Sequence, residues 1–166
     1  KVPPANEADK AIGDHIGLFP HAYLHRATYY TNISFPSGPR PAPHNYDPAV
    51  DIKVARTTVE DFILKWPIKW TDGTITRDTP GEGMDALHPP WLNTSEHQFV
   101  WGDDAYMGIT LPSRMILAGL DTPDFKYAKL CATQSRLSVL HLKDNADGLF
   151  WHGVDAKTGA HSCCKW

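Results

Sequence analysis

Trp101-Gly102-Asp103-Asp104-Ala105-Tyr106-Met107 heads the stretch on which the reading of this chain turns, because the sequence beyond it divides into two helices joined by a short link. The spacing of Met107, Leu111, Met115 and Ala118 predicts a helix from about Asp104 to Ala118, with Gly119 in the C-cap role. A second helix is predicted to start almost at once, with Thr122 as N-cap, Pro123 at the first helical position and Asp124 in the first turn. Its inner stripe reads as Ala128, Cys131, Ala132, Ser135, Val139 and Leu142, ending before the turn Asp144-Asn145-Ala146-Asp147-Gly148. So short a link makes an antiparallel helical hairpin.

The same periodicity extends toward the N-terminus. Ile16, Phe19, Tyr23, Leu24 and Ala27 predict a buried helix within about Ile12 to Tyr30, and Val54, Thr58, Phe62 and Ile63 another from Val50 to Trp66, stopped by Pro67. Five prolines, Pro36, Pro39, Pro41, Pro43 and Pro48, mark the stretch from Thr31 to Pro48 as a loop. The polar stretch from Thr71 to Glu96 is a second loop, with Thr71-Asp72-Gly73-Thr74 suited to a tight turn. Gly148 to Val154 is short and aromatic enough for a small strand or an extended segment. The expectation is therefore a mainly α chain, one domain over residues 1–166, with loops at about 31–49 and 71–100 and no evident internal repeat.

Composition narrows the function classes. Sixteen Lys and Arg are scattered among nineteen Asp and Glu, for a net charge of −3, which argues against nucleic acid as a partner. The apolar runs are too short for a membrane span. Lys1 opens a polar, Pro-rich stretch without the apolar core of a signal peptide, yet Asn32-Ile33-Ser34 and Asn93-Thr94-Ser95 read as N-glycosylation acceptors and point to a secreted protein. Cys131 could bridge to Cys163 or Cys164, leaving one thiol over, or all three could stay unpaired.

Chemistry concentrates where the first of the two hairpin helices begins. Asp103 and Asp104 cannot both occupy the favourable position at a helix N-terminus, and one packed against Trp101 or Tyr106 would be desolvated and hold its proton more tightly. Such a split pair supplies a general acid. The plain alternative is that one of them is only an N-cap. Asp14 stands in a similar capping position before His15-Ile16-Gly17. Trp91, Trp101, Trp151, Tyr106, His97 and His152 offer the aromatic faces and imidazoles of a sugar cleft, though aromatics are equally core material. There is no Gly-x-Ser-x-Gly elbow, phosphate loop or His-Glu-x-x-His helix, and His161, Cys163 and Cys164 do not have zinc spacing.

The segment Trp101-Gly102-Asp103-Asp104-Ala105-Tyr106-Met107 resembles the Trp-x-Asp-x-x-Tyr/Phe-Met signature of the unsaturated glycuronyl and rhamnogalacturonyl hydrolases, glycoside hydrolase families 88 and 105. Asp14-His15-Ile16-Gly17 precedes it and Gly148-Leu149-Phe150-Trp151-His152-Gly153 comes after it, in the order of the family's corresponding segments. The resemblance implies part of an (α/α)6 barrel. It implies a reaction in which a carboxylic acid protonates the C4=C5 double bond of a terminal unsaturated uronic acid, water adds at C5, and the hemiketal opens to release the sugar. Asp103 would then be the acid and water activator, with Asp104 its rival, Asp14 the second acid of the cleft and His152 a substrate contact. Trp101, Tyr106 and Trp151 would line the wall.

That resemblance carries its own departures. Six hairpins need on the order of 250 to 350 residues at usual helix and loop lengths. About four helices are expected here, so the rest of the barrel would be supplied as another segment, and the family's Gly-Arg-Gly-Asn-Gly-Trp stretch would fall just past Trp166. The substrate expected is an oligosaccharide with an unsaturated uronyl end, with no cofactor and no metal. The alternatives are a non-catalytic glycan-binding or structural glycoprotein on the same scaffold, or another (α/α)-barrel lyase or glycosidase with a second carboxylate facing Asp103.

Overall fold

Apolar spacing of three and four residues at the N-terminal side produces an α-helix over Leu18–Thr31 (α1), which buries Leu24, Ala27 and Thr28. The computed structural model describes residues 18–31, 42–66, 69–76, 99–162 and 165, and side chains throughout these except at 18, 19 and 104–107. The residues before Leu18, most of the expected 31–49 loop and the stretch 77–98 lie outside the described residues. What is described is mainly helical with little sheet: α1, then α2 (Pro48–Thr57), β1 (Phe99–Trp101), α3 (Gly102–Leu117), α4 (Lys126–Leu142) and β2 (Gly153–Asp155). No helix among the described residues is long and apolar enough to cross a membrane. The chain forms two compact units, Lys1–Trp66 with Met107–Cys131 and Pro67–Tyr106 with Ala132–Trp166.

In the first unit, α2 begins two residues earlier than its apolar pattern predicts, because Asp47 caps it. The Asp47 carboxylate accepts the Ala49 N–H at 2.9 Å and Pro48 takes the first helical position, where no N–H is needed. From Thr58 to Ile63 the coil widens to a π-helix, with the Leu64 N–H reaching the Val59 carbonyl at 2.9 Å. The widening rotates the buried face. Asp51, Ala55, Thr58, Val59 and Ile63 are buried, whereas Val54 and Phe62 of the expected stripe are only half-buried.

The buried Asp51 is the polar centre of the contact between α1 and α2. Arg26 of α1 donates to both of its oxygens, Nε at 2.6 Å and Nη2 at 2.7 Å, and the Tyr46 hydroxyl donates to it at 2.7 Å. Those hydrogen bonds, led by Arg26, outweigh burial and hold the Asp51 carboxyl below the usual carboxylate range. Burial and the neighbouring carboxylate push the Tyr46 phenol up to about 12.

Both ends of the α3–α4 link are set by local chemistry. The expected glycine cap is present: Gly119 takes φ 71°, its N–H bonds the Ile116 carbonyl at 2.9 Å, and the Leu120 N–H bonds the Met115 carbonyl at 2.9 Å. This is a Schellman closure, and it needs the left-handed backbone that glycine allows. The start of α4 differs from the expected one. Thr122 to Phe125 form a turn closed by Phe125 N–H to Thr122 carbonyl at 2.9 Å, so Pro123 and Asp124 lie before the helix. The capping oxygens come from upstream: Asp121 accepts the N–H groups of Tyr127 at 3.0 Å and Ala128 at 3.2 Å, and Thr122 Oγ1 that of Lys126 at 2.9 Å.

The buried stripe of α4 also departs from expectation. Tyr127, Leu130, Gln134, Leu137 and Leu142 face inward, while Ala132, Ser135 and Val139 are exposed. The small residues of the predicted stripe give way to larger ones, since burial is worth more per side chain for Leu and Tyr than for Ala and Ser. In the first unit Tyr127 donates to Glu60 of the π-helical segment at 2.8 Å. Cys131 carries a free thiol, 3.3 Å from Ser113 Oγ and 3.6 Å from the Ile109 carbonyl of α3, and burial pushes its pKa up. Cys163 and Cys164 lie outside the described residues.

In the second unit, the turn expected at Thr71–Thr74 forms, with Lys69 bridging Ile75. The C-terminal part of α4 grips it. Gln134 accepts the Ile75 N–H at 3.0 Å and donates to the Gly73 carbonyl at 2.9 Å, and His141 Nε2 lies 2.7 Å from Asp72 Oδ2. β1 and β2 pair antiparallel, and Val100, Leu142 and Val154 pack with Trp151 and Ala156.

These contacts give two stability outcomes. Tyr127→Phe leaves the ring and removes its bond to Glu60, and should cost about 1 to 2 kcal/mol in urea unfolding. For Asp51, the unfolded chain takes up a proton as pH falls past about 4 while the folded carboxyl, with its depressed pKa, does not, so stability is lost on acidification. In Asp51→Asn, chemical unfolding midpoints measured from about pH 6 to about pH 2.5 should fall less steeply than in wild type.

Candidate functional site

A Trp at the end of one short strand and a Gly at the start of another are what bring the candidate residues together. Trp101 pairs with Gly153 in the β1–β2 register, and the ladder continues one step beyond the strand, where the Gly102 N–H donates to the His152 carbonyl at 2.9 Å. Gly102 is also the first residue of α3, so the pairing that ends β1 delivers Asp103, second in the helix, to the side of His152. The gap between His152 Nε2 and Asp103 Oδ2 is 3.6 Å, within ion-pair range and longer than a hydrogen bond.

Trp101 packs against the His152 side of this pair. Its ring is buried and meets the His152 imidazole edge-on, with ring centroids 5.0 Å apart and planes at 81°. A residue with a Cβ at position 153 would sit 3.8 Å from the same indole, so the backbone there lies close against it. The result is an imidazole packed against an aromatic ring, with its main chain fixed by the strand pairing, facing a carboxylate. The Asp103 side chain is 51% exposed, so Trp101 does not shield it from water. Such an arrangement presents two groups able to exchange a proton with a solvent-reachable ligand.

The remaining predicted residues fall elsewhere. Asp104 and Tyr106 occupy the first turns of α3, and their side chains are outside the described residues, as are Asp14, Asn32, Asn93, Trp91 and His97. Trp151, one residue before His152, belongs to a different cluster. His161 stacks on its ring with centroids 3.5 Å apart and planes at 12°, and Lys165 Nζ lies 4.1 Å from the ring centroid. Two close neighbours on the ring leave it little open face for a sugar. Lys165 in turn reaches Asp144 at 2.5 Å and Asp147 at 2.7 Å, and it holds both carboxyls below their ordinary range while they raise its own pKa.

Sequence reasoning passed over that Lys165 cluster and the Asp72–His141 pair. Their partners are separated by 18 to 21 and by 69 residues, and nothing in local spacing announces them. For Asp72, burial disfavours the charge, but hydrogen bonds from Thr74 and His141 more than offset it and leave the pKa lowered. Both clusters are saturated with internal partners, which is the signature of positioning rather than reactivity. Among the described residues no group of three His, Cys, Asp or Glu side chains could hold a metal ion.

No protein-family model matches the chain, and no curated protein or solved structure is detectably similar to it.

The geometry fixes an outcome for Trp101. Trp101→Ala should cost about 3 to 5 kcal/mol by leaving a cavity under β1 and β2, whereas Trp101→Phe should fold and still move the His152 ring-proton resonances in NMR spectra. Unmoved resonances in the Phe variant would mean that the indole does not abut His152.

Proposed function

We propose that this chain is a carbohydrate-active hydrolase that acts on oligosaccharides ending in an unsaturated uronyl residue, with Asp103 as its acid, on helical hairpins belonging to an (α/α)6 barrel. The observation that carries the reading is the Asp103–His152 pair at 3.6 Å on the edge of the buried Trp101 ring. Two segments separated by about fifty residues, each singled out by its resemblance to the same hydrolases, meet at one place. Asp103 would deliver its proton to C4 of the C4=C5 double bond and then accept one from the water that adds at C5. Ring opening of the hemiketal releases the remaining sugar. The half-exposed Asp103 side chain is within reach of a ligand from solvent, with the His152 imidazole beside it. His152 would contact substrate, and Asp14, Asp104 and Tyr106 would complete the cleft. A secreted, glycosylated protein with acceptors at Asn32 and Asn93 accords with an extracellular polysaccharide substrate.

A second reading, a non-catalytic glycan-binding or structural glycoprotein on the same scaffold, is favoured by one specific observation. The Trp151 ring is already occupied by His161 and Lys165.

Loss of the ultraviolet absorbance of the unsaturated uronyl group, followed on a panel of lyase-generated oligosaccharides, separates the two. Wild type should consume the double bond, and Asp103→Asn should lose on the order of 100-fold or more of the rate. A wild-type protein that binds these oligosaccharides yet leaves every double bond intact would replace the hydrolase by the scaffold.

A further inference from the structure

The peptide group between His152 and Gly153 is held at both of its polar ends. Its carbonyl, on His152, accepts the Gly102 N–H at 2.9 Å, and its N–H, on Gly153, donates to the Ser162 hydroxyl at 3.1 Å. A peptide group is planar and stiff, so one rigid unit links the residue before Asp103 to Ser162. Ser162 is fully buried, and its own N–H donates to the Gly153 carbonyl at 2.8 Å.

The stretch 160–162 runs back along β2. Val154 bridges His161, and the Asp155 N–H bonds the Ala160 carbonyl at 2.8 Å. One step along from that bridge, residues 153 and 162 face each other. In a regular antiparallel ladder such a pair exchanges main-chain bonds in both directions. Here the Gly153 N–H goes to the serine side chain. The hydroxyl matters because residue 153 is a glycine, which has no side chain to limit its backbone rotation. Orientation of the plane after His152 therefore falls to its two hydrogen bonds. Losing the one to Ser162 leaves a buried N–H unsatisfied, and the plane turns toward another acceptor. The His152 carbonyl then shifts against Gly102, and with it the step that sets Asp103 beside the imidazole. On the other side of His152, Trp151 stacks on His161 and its backbone bridges Lys165. Both neighbours of His152 are thus fixed by residues 161, 162 and 165.

We propose that Ser162 is a positioning residue for the Asp103–His152 pair, acting through the Gly153 N–H and the peptide plane to hold the imidazole at 3.6 Å from the carboxylate. The proposal rests on the proposed function only in taking this pair as the site, and it is independent of the substrate.

The first arm of the test needs no substrate. In the wild-type background, Asp103→Asn removes the carboxylate beside His152 Nε2 and should move the His152 ring resonances in NMR spectra. In the Ser162→Ala background the same substitution should move them by less than about half as much, because the two side chains are no longer held together. Ser162→Cys fills the same space with a poor acceptor, should behave in the same way, and decides the matter if Ser162→Ala does not fold. In the second arm, wherever wild type consumes the unsaturated double bond, the folded variant should lose about 10-fold or more in kcat with KM nearly unchanged. A response to Asp103→Asn as large in the folded Ser162 variant as in wild type would overturn the proposal, and so would an unchanged kcat. A wild-type protein that leaves every double bond intact overturns the hydrolase reading alone, and the resonances still decide the role of Ser162.

Discussion

Three residues of antiparallel pairing, Phe99–Trp101 against Gly153–Asp155, are the constraint on which the candidate site depends. A strand pair this short is marginal alone, and it holds because both of its strands are buried and Leu142 of α4 packs into the same cluster as Val100 and Val154. Once it forms, the positions of Asp103 and His152 are no longer independent. One is the second residue of a helix that starts where β1 stops, and the other precedes the first residue of β2. That the two residues are neighbours is thus a property of backbone register.

Around that pairing, polar side chains act as fasteners between segments far apart in sequence. Gln134 uses both ends of its amide to hold the backbone of the 73–75 turn, and His141, two helical turns further on, holds Asp72 of the same turn. Lys165 ties the C-terminal stretch to Asp144 and Asp147 while lying over Trp151. In the other unit Arg26 and Tyr46 satisfy Asp51. The bonds to Asp51 and those of Gln134 meet groups that burial would otherwise leave unpaired, at a cost greater than the bond gains, whereas His141–Asp72 and Lys165–Asp147 are more exposed pairs.

Helix ends show how far local rules reach. The Gly119 closure of α3 and the Pro48 start of α2 follow from what glycine and proline permit at one position. At the start of α4 the same rules recognised the right residues and misplaced the boundary. Thr122, Pro123 and Asp124 do form a stop-and-start signal, but they fold as a turn, and Asp121 reaches past it to cap the helix. Phe125 closes that turn at φ 58°, a conformation unusual for an aromatic residue, held by the surrounding hydrogen bonds.

The sequence by itself determined that the chain is mainly helical, roughly where four helices lie, and that residues 71–74 turn. Those properties are written in local periodicity, capping and turn chemistry, each decided within a few residues. Tertiary structure decided the rest. The inward face of α4 went to Tyr127, Leu130 and Leu137 because a helix buries whichever stripe its neighbours can pack against. The π-helical turn at Thr58–Ile63 shifted the buried face of its segment, and β1 formed only because β2 was present to pair with it. Whether an aspartate near a tryptophan is shielded or exposed, and whether a tryptophan offers a face or has it taken by His161, depends on contacts between residues far apart along the chain, which spacing alone does not encode.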